Sequence, residues 1–402
     1  MSIEISITTP FTKQQLLPQV EKLELARKKG DLFIGIPKET SHQERRICLT
    51  PDAVNSLVCN GHRILIEAGA GESSSYSDKE YSEAGAQVTN DTRKVFGCPM
   101  ILKVEPPTLA EINMMNNETI LISAIQLKTQ RKAYFEALIK KKITALAFEY
   151  IRDVDETYPI VKSLSEIAGT ASILIAAELM ISNELGKGLL FGNITGVPPT
   201  EVVILGAGTA GEFAARTAIG LGANVRVFDN SITKLRRLQN SLTQRIFTST
   251  IQHKTLMKAL RRCDVAIGAM RGMDRSPIVV TETMVAHMKK GAVIVDLSID
   301  TGGCFETSEV TTHEKPTFLK NNVLHYCVPN LPSRYSKTAS LSISNIITPY
   351  LLKIAENGGF ESAIRFDKGL KNGVYTYHGI ITNKTIGDWF DIPNNDINLI
   401  VF

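Results

Sequence analysis

The feature that most restricts this chain is a glycine-rich turn set between an apolar strand pattern and a helical one. Residues 202–205 read Val-Val-Ile-Leu, and Gly206, Ala207, Gly208, Thr209, Ala210 and Gly211 follow, opening a helical pattern that runs to residue 221. The three glycines have separate tasks. The first permits a tight turn, the second lets backbone approach a pyrophosphate, and the third allows the helix to close on the strand. The helix N-terminus then presents unpaired N–H groups to an anion. Asp229 ends the next strand pattern, eighteen residues after Gly211, where a carboxylate can bind a ribose 2′-hydroxyl. Its charge repels a 2′-phosphate, so the pattern points to NAD over NADP. Lys234, Arg236 and Arg237 follow closely and weaken that preference.

The rest of the chain supplies a matching context. Strand patterns at 32–36, 63–67, 99–104, 119–123 and 143–148 alternate with helical ones such as 51–59 and 128–140. A second series begins at residue 201, with strands at 202–205, 224–228, 245–250, 264–268, 292–298 and 323–328. Helical patterns fall between them at 210–221, 231–242, 254–262 and 282–290. Such alternation predicts parallel α/β sheets. With 402 residues the chain is also too long for one ordinary core. The expected fold is α/β with two domains, an NAD-binding doubly wound (Rossmann) domain inserted into a Rossmann-like or flavodoxin-like substrate domain. Residues 1–158 form an N-terminal extension helix plus the substrate domain, 159–336 the NAD domain, and 337–402 a C-terminal helical segment returning to the first. The extension helix is read over residues 12–29. A long apolar helix over 165–185, capped by Ser163 or Ser165, is expected to be buried and to link the two domains.

Composition narrows the function. A net charge of +4 is small for this length and argues against nucleic acid or an anionic membrane surface. No uninterrupted apolar run reaches the roughly 18 to 20 residues of a membrane span, and residues 1–15 lack the pattern of a secretory signal. The six cysteines form no CxxC pair, which reads as reduced thiols of a cytoplasmic protein. The seven histidines show no metal-ligand spacing. His325 reads as a core residue and His42 as an exposed loop residue. A second polar turn, Val295 to Cys304, closes an apolar strand, and ligands gather at the carboxyl ends of such strands. That places Asp300 near the reactive ring of the dinucleotide.

These residues carry a family resemblance. Gly35-Ile-Pro-Lys-Glu-Thr, Glu44-Arg-Arg-Ile-Cys-Leu-Thr-Pro51, Ala68-Gly-Ala-Gly71 and Leu102-Lys-Val resemble motifs of alanine dehydrogenases and the related NAD(H)-binding domain of proton-translocating transhydrogenases. So do Ser165-Glu-Ile-Ala-Gly169, the glycine-rich turn, Val295 to Glu306, and Tyr326-Cys-Val-Pro-Asn-Leu-Pro332. The likeness spans residues 32 to 392, and Asp300-Thr-Gly-Gly-Cys-Phe-Glu306 resembles the dehydrogenase branch. It implies oxidative deamination of L-alanine to pyruvate and ammonia with hydride transfer to NAD, by a hexamer as in the dehydrogenases or a dimer as in the transhydrogenase domain. It further implies Arg46 as the substrate carboxylate's cation and Asp300 as the acidic residue beside the nicotinamide. Ser165, Lys234, Ala269, Met270, Asn330 and Leu331 fall where the family contacts NAD.

Two positions depart from the family. Its substrate-binding lysine corresponds to Glu105 and its catalytic histidine to Gln126. A glutamine amide exchanges no proton near neutral pH, and a glutamate repels a substrate carboxylate. Three accounts stay open. Alanine is processed with another acid/base, with Lys103 a stand-in on the same side of its strand as Glu105. Alternatively the substrate is a different amino acid or an opine-type compound whose amine Glu105 binds. In the third account, the chain binds NAD(H) with little deaminase activity.

Overall fold

The computed structural model describes residues 30–41, 43–181, 186–272 and 275–401. The expected extension helix and His42 lie outside the described residues. Six parallel strands open the fold, β1 (Phe33–Ile36), β2 (Arg63–Glu67), β3 (Gln87–Thr89), β4 (Met100–Leu102), β5 (Ile120–Ser123) and β6 (Thr144–Ala147). A second sheet takes β7 (Glu201–Leu205), β8 (Asn224–Phe228), β9 (Phe247–Ser249), β10 (Val265–Gly268), β11 (Val293–Asp296), β12 (Thr317–Lys320) and β13 (Val323–Tyr326). The chain then returns with β14 (Val374–Tyr377) and β15 (Ile380–Ile381), which add antiparallel strands beyond β6.

The orders are β15-β14-β6-β5-β4-β1-β2-β3 and β12-β13-β11-β10-β7-β8-β9. The parallel strands of each sheet reverse direction of progress once, between β1 and β4 in the first and between β7 and β10 in the second. A crevice opens at such a reversal, outside the carboxyl ends of the strands. The two-domain α/β architecture is therefore as expected, with chemistry-bearing residues at both reversals.

Three local expectations are corrected. The linking helix is Pro159–Ile181, starting earlier than residue 165. Proline suits a first turn because its missing N–H would have no partner there, and Lys162 already donates to the Tyr158 carbonyl at 2.9 Å. Ser165 is thus inside the helix, not its cap, and its hydroxyl donates back to the Val161 carbonyl at 2.7 Å. The C-terminal part is not purely helical, since β14 and β15 extend the first sheet. The pattern at 282–290 shortens to the helix Glu282–Val285.

By length and composition the linking helix is apolar enough to cross a membrane, which the unbroken-run criterion missed. It is buried along one face only, with Leu174 and Ile181 exposed, and its small residues explain that buried face. Gly169, Ala171, Ser172 and Ala176 are buried, and a Cβ on Gly169 would stand 2.2 Å from the Ala210 carbonyl. The helix therefore lies directly on the first turn after the glycine-rich loop. The long helix Ser336–Glu356 buries Ile343, Ile347, Leu351 and Ile354 in one core with Ile34, Ile36 and Leu102. Each such side chain contributes about 1.5–3 kcal/mol of burial, which ties the returning segment to the first sheet.

Candidate active site

The glycine-rich turn shows why those residues are needed. Gly206 has φ 108°, and a Cβ there would lie 2.4 Å from the Ala269 carbonyl. A Cβ on Gly211 would lie 1.9 Å from the Gly206 carbonyl. Gly208 differs, because a Cβ there would meet nothing within 4 Å. Its open face stands at the N-terminus of the helix Thr209–Gly220, a cradle suited to a pyrophosphate. Asp229 is buried and holds the turn, accepting from Ala207 N at 2.8 Å and Ser231 N at 2.7 Å. Its remaining lone pairs stay available to a ribose diol. Arg237 donates to the Ala207 carbonyl at 3.3 Å, so one of the nearby cations does reach the turn. Lys234 sits in the first turn of the next helix, its N–H bonded to Ser231 Oγ at 3.3 Å.

Ala269 and Met270 leave β10 beside this turn. Met270 N donates to Ser298 Oγ at 2.9 Å, joining it to the segment that carries Asp300. That segment is the turn Leu297–Thr301 at the end of β11. Asp300 opens to solvent from within a cleft, with one carboxylate oxygen accepting Asn330 N at 3.0 Å. Surrounding protein raises its pKa, against the opposing pull of that bond, Arg46 and Arg271. Asn330 adopts the left-handed conformation, φ 52°, and Leu331 beside it is buried.

The opposite wall comes from the first sheet. Glu44 grips Arg46 in a fork, with Arg46 Nε 2.7 Å and Nη2 2.5 Å from its two oxygens. Both side chains are buried, at 0% and 7% exposure. Burial opposes ionisation of Glu44, but the guanidinium prevails and lowers its pKa. Asn330 Nδ2 donates to the same carboxylate at 3.0 Å and Ser333 Oγ lies 3.5 Å away. Lys103, at the end of β4, pairs with Glu39 and lies 3.9 Å from Glu111. Glu39 also accepts Val104 N at 2.7 Å. Burial lifts Glu39 to about 7 despite Lys103. Glu105 is half-buried, and its pKa is raised by burial and by Glu44, while Lys103 and Arg46 pull it down. Arg46, Lys103, Glu105 and Asp300 thus share one charged cleft.

Gln126 sits at the exit of β5 with φ 45°, and its side chain is exposed. Beneath it Glu149 accepts Ile125 N at 2.8 Å and Gln126 N at 3.2 Å, leaving its second oxygen buried without a partner. Burial raises the Glu149 pKa, and Arg271 draws it down from across the cleft. His325 is a core residue, bonded to Thr307 Oγ1 at 2.8 Å and to the Val323 carbonyl at 2.9 Å. Glu149 and Arg271 were not singled out from sequence. Each follows a parallel strand, β6 and β10, and that position was the available signal.

The fold and the turn together define a two-domain α/β protein with a glycine-rich turn of the nucleotide-binding kind. The alanine dehydrogenase/PNT N-terminal domain matches residues 35–168 and the C-terminal domain of the same family matches residues 172–384. Alanine dehydrogenase of Mycolicibacterium smegmatis is 37% identical over 91% of this chain and 98% of its own length. The Mycobacterium tuberculosis enzyme of that name is 38% identical over 90% and 97%. A solved L-alanine dehydrogenase superposes with a TM-score of 0.84 at 33% identity, covering 90% of this chain and 99% of the other. A transhydrogenase from Sinorhizobium meliloti, at 24% identity and TM-score 0.75, shares the fold. The chain belongs to the alanine dehydrogenase/PNT family, whose members use nicotinamide cofactors.

Proposed function

We propose that this chain is an NAD-dependent oxidoreductase acting on the CH–NH2 group of amino acids, of the alanine dehydrogenase type. The reaction is L-alanine, NAD+ and water going to pyruvate, ammonium, NADH and a proton. One observation carries the reading. Asp300, beside the dinucleotide turn, bonds Asn330, and Asn330 bonds the Glu44 that orients Arg46 on the facing wall. The cofactor, when bound, accepts the hydride from the substrate's α-carbon. Asp300 stabilises the iminium cation that forms and takes part in moving the protons of water addition. Arg46 lies opposite and complements the substrate's anionic end. NAD is favoured over NADP because the Asp229 carboxylate is fixed at the turn, where a 2′-phosphate would be repelled.

Lys103 has its charge engaged by Glu39 and Glu111, so the stand-in role is the weaker assignment. Gln126 and Glu105 favour a second reading, an NAD(H)-binding protein with little deaminase activity. Spectrophotometric NADH formation with L-alanine, run beside Lys, Orn, Glu and Ser, separates the two. Turnover with any supports the enzyme, and tight NADH binding without turnover defeats it. The division into substrate domain 1–158, NAD domain 159–336 and returning segment 337–402 belongs to this reading. So does a cytoplasmic homo-oligomer, supported by free cysteines and by exposed Leu174, Ile181, Leu189 and Leu190 on and after the linking helix. Light scattering of the purified chain reads the assembly.

A further inference from the structure

We propose that Arg271 joins Arg46 in holding the carboxylate of the amino-acid or 2-oxo-acid substrate, supplying the second cation absent at Glu105. The inference rests on the dehydrogenase reading. A monocarboxylate bound beside Asp300, Glu105 and Glu44 meets mostly negative charge, so a cation besides Arg46 must be free to receive it. Arg46 spends Nε and Nη2 on Glu44, which leaves Nη1 for the substrate. Lys103 is 2% exposed and committed to Glu39 and Glu111. Arg271 is exposed and has no ion pair among the described residues.

Its placement is built rather than incidental. The preceding residue, Met270, donates to Ser298 Oγ at 2.9 Å and accepts from Ser276 Oγ at 3.0 Å. Ser276 N in turn donates to the Thr301 carbonyl at 2.9 Å. The loop that carries Arg271 is therefore pinned on both sides to the turn that carries Asp300. From there its charge acts on Asp300 and, across the cleft, on Glu149 and Tyr150 after β6. A planar guanidinium in that position can bind a carboxylate through two parallel N–H bonds. The competing ligand is the cofactor's pyrophosphate. That group fits the Gly208 cradle, whereas the carboxylates that the charge of Arg271 reaches are Asp300 and, across the cleft, Glu149.

The test compares full-length wild type with Arg271→Ala, Arg271→Lys and the double variant Glu105→Lys/Arg271→Ala. Steady-state rates are read in both directions, with NADH affinity by fluorescence. For Arg271→Ala the KM for pyruvate and alanine rises about 10- to 100-fold, the loss expected for a charged hydrogen bond. Its kcat stays within about threefold, and NADH affinity is unchanged. Arg271→Lys is intermediate, and Glu105→Lys in the alanine background recovers much of the lost KM. An unchanged KM in Arg271→Ala overturns the inference while wild-type turnover keeps the dehydrogenase reading intact. Parallel loss of NADH affinity also overturns it, by assigning Arg271 to the cofactor. Wild type that binds NADH but turns over none of the amino acids overturns the dehydrogenase reading, and this inference with it.

Discussion

Glu44 and Asn330 come from opposite walls of the cleft and meet in a hydrogen bond of 3.0 Å. Because Glu44 also forks Arg46, one buried carboxylate fixes both the guanidinium and the bridge between sheets. Glu44→Gln strips the charge that compensates Arg46. Breaking a buried pair from one side costs about 3–5 kcal/mol. Denaturant unfolding is expected to show a loss of that order, together with a raised KM for the substrate. A variant as stable as wild type contradicts the bridge.

Gly208 and Gly211 separate binding from folding within one turn. Gly211→Ala forces a Cβ to within 1.9 Å of the Gly206 carbonyl, so stability falls by about 3 kcal/mol, the upper range for overpacking. Gly208→Ala meets no protein atom within 4 Å and leaves the melting temperature near that of wild type. It does fill the phosphate cradle, so NADH affinity drops at least about tenfold, or 1.4 kcal/mol. Unchanged NADH affinity in Gly208→Ala removes the cradle from the account.

Asp300→Asn keeps the size and the acceptor for Asn330 N but cannot carry charge. Its kcat is expected to fall about 10²- to 10⁴-fold, the range for a positioned acid or base, with NADH affinity retained. A variant with wild-type kcat shows that Asp300 does not act on the reacting atoms.

Glu39 gives a pH signature. Burial raises its pKa from 4.5 to about 7. The folded chain therefore binds this proton more tightly than the unfolded one, and the resulting stability is complete below the unfolded value. It is lost as pH climbs through the folded value. Glu39→Gln is neutral throughout. The variant's stability relative to wild type should thus improve from pH 4.5 to about 7 and level off above it. A gap that is flat or runs the other way across that window contradicts the shift.

Much of this arrangement was legible in the sequence because it is local. The central strands announce themselves by apolar runs, and the turn at Gly206 combines strand, glycines and helix within ten residues. The edge strands β3, β9, β12 and β15 are short and half-exposed, which weakens their pattern, and β3, β12 and β15 were not read from it. β14 was missed as well, although Val374–Tyr377 is β-branched and aromatic, because a helical run precedes it. The start at Pro159 was overlooked because serines at 163 and 165 offered plausible caps. In the site, Arg46 and Asp300 follow from motif position. The pairing of Lys103 with Glu39 depends on β4 lying beside β1 in the first sheet, and the facing of Arg271 to Glu149 on how the two sheets meet, neither of which a local pattern encodes.

Turnover of L-alanine by the purified chain tests the central claim most directly. With NAD present, the account predicts NADH formation matched one for one by pyruvate and ammonia, and slowed about 10²- to 10⁴-fold in Asp300→Asn. NADH bound tightly at the Gly206 to Gly211 turn, with no turnover of alanine or of any amino acid offered, would contradict it.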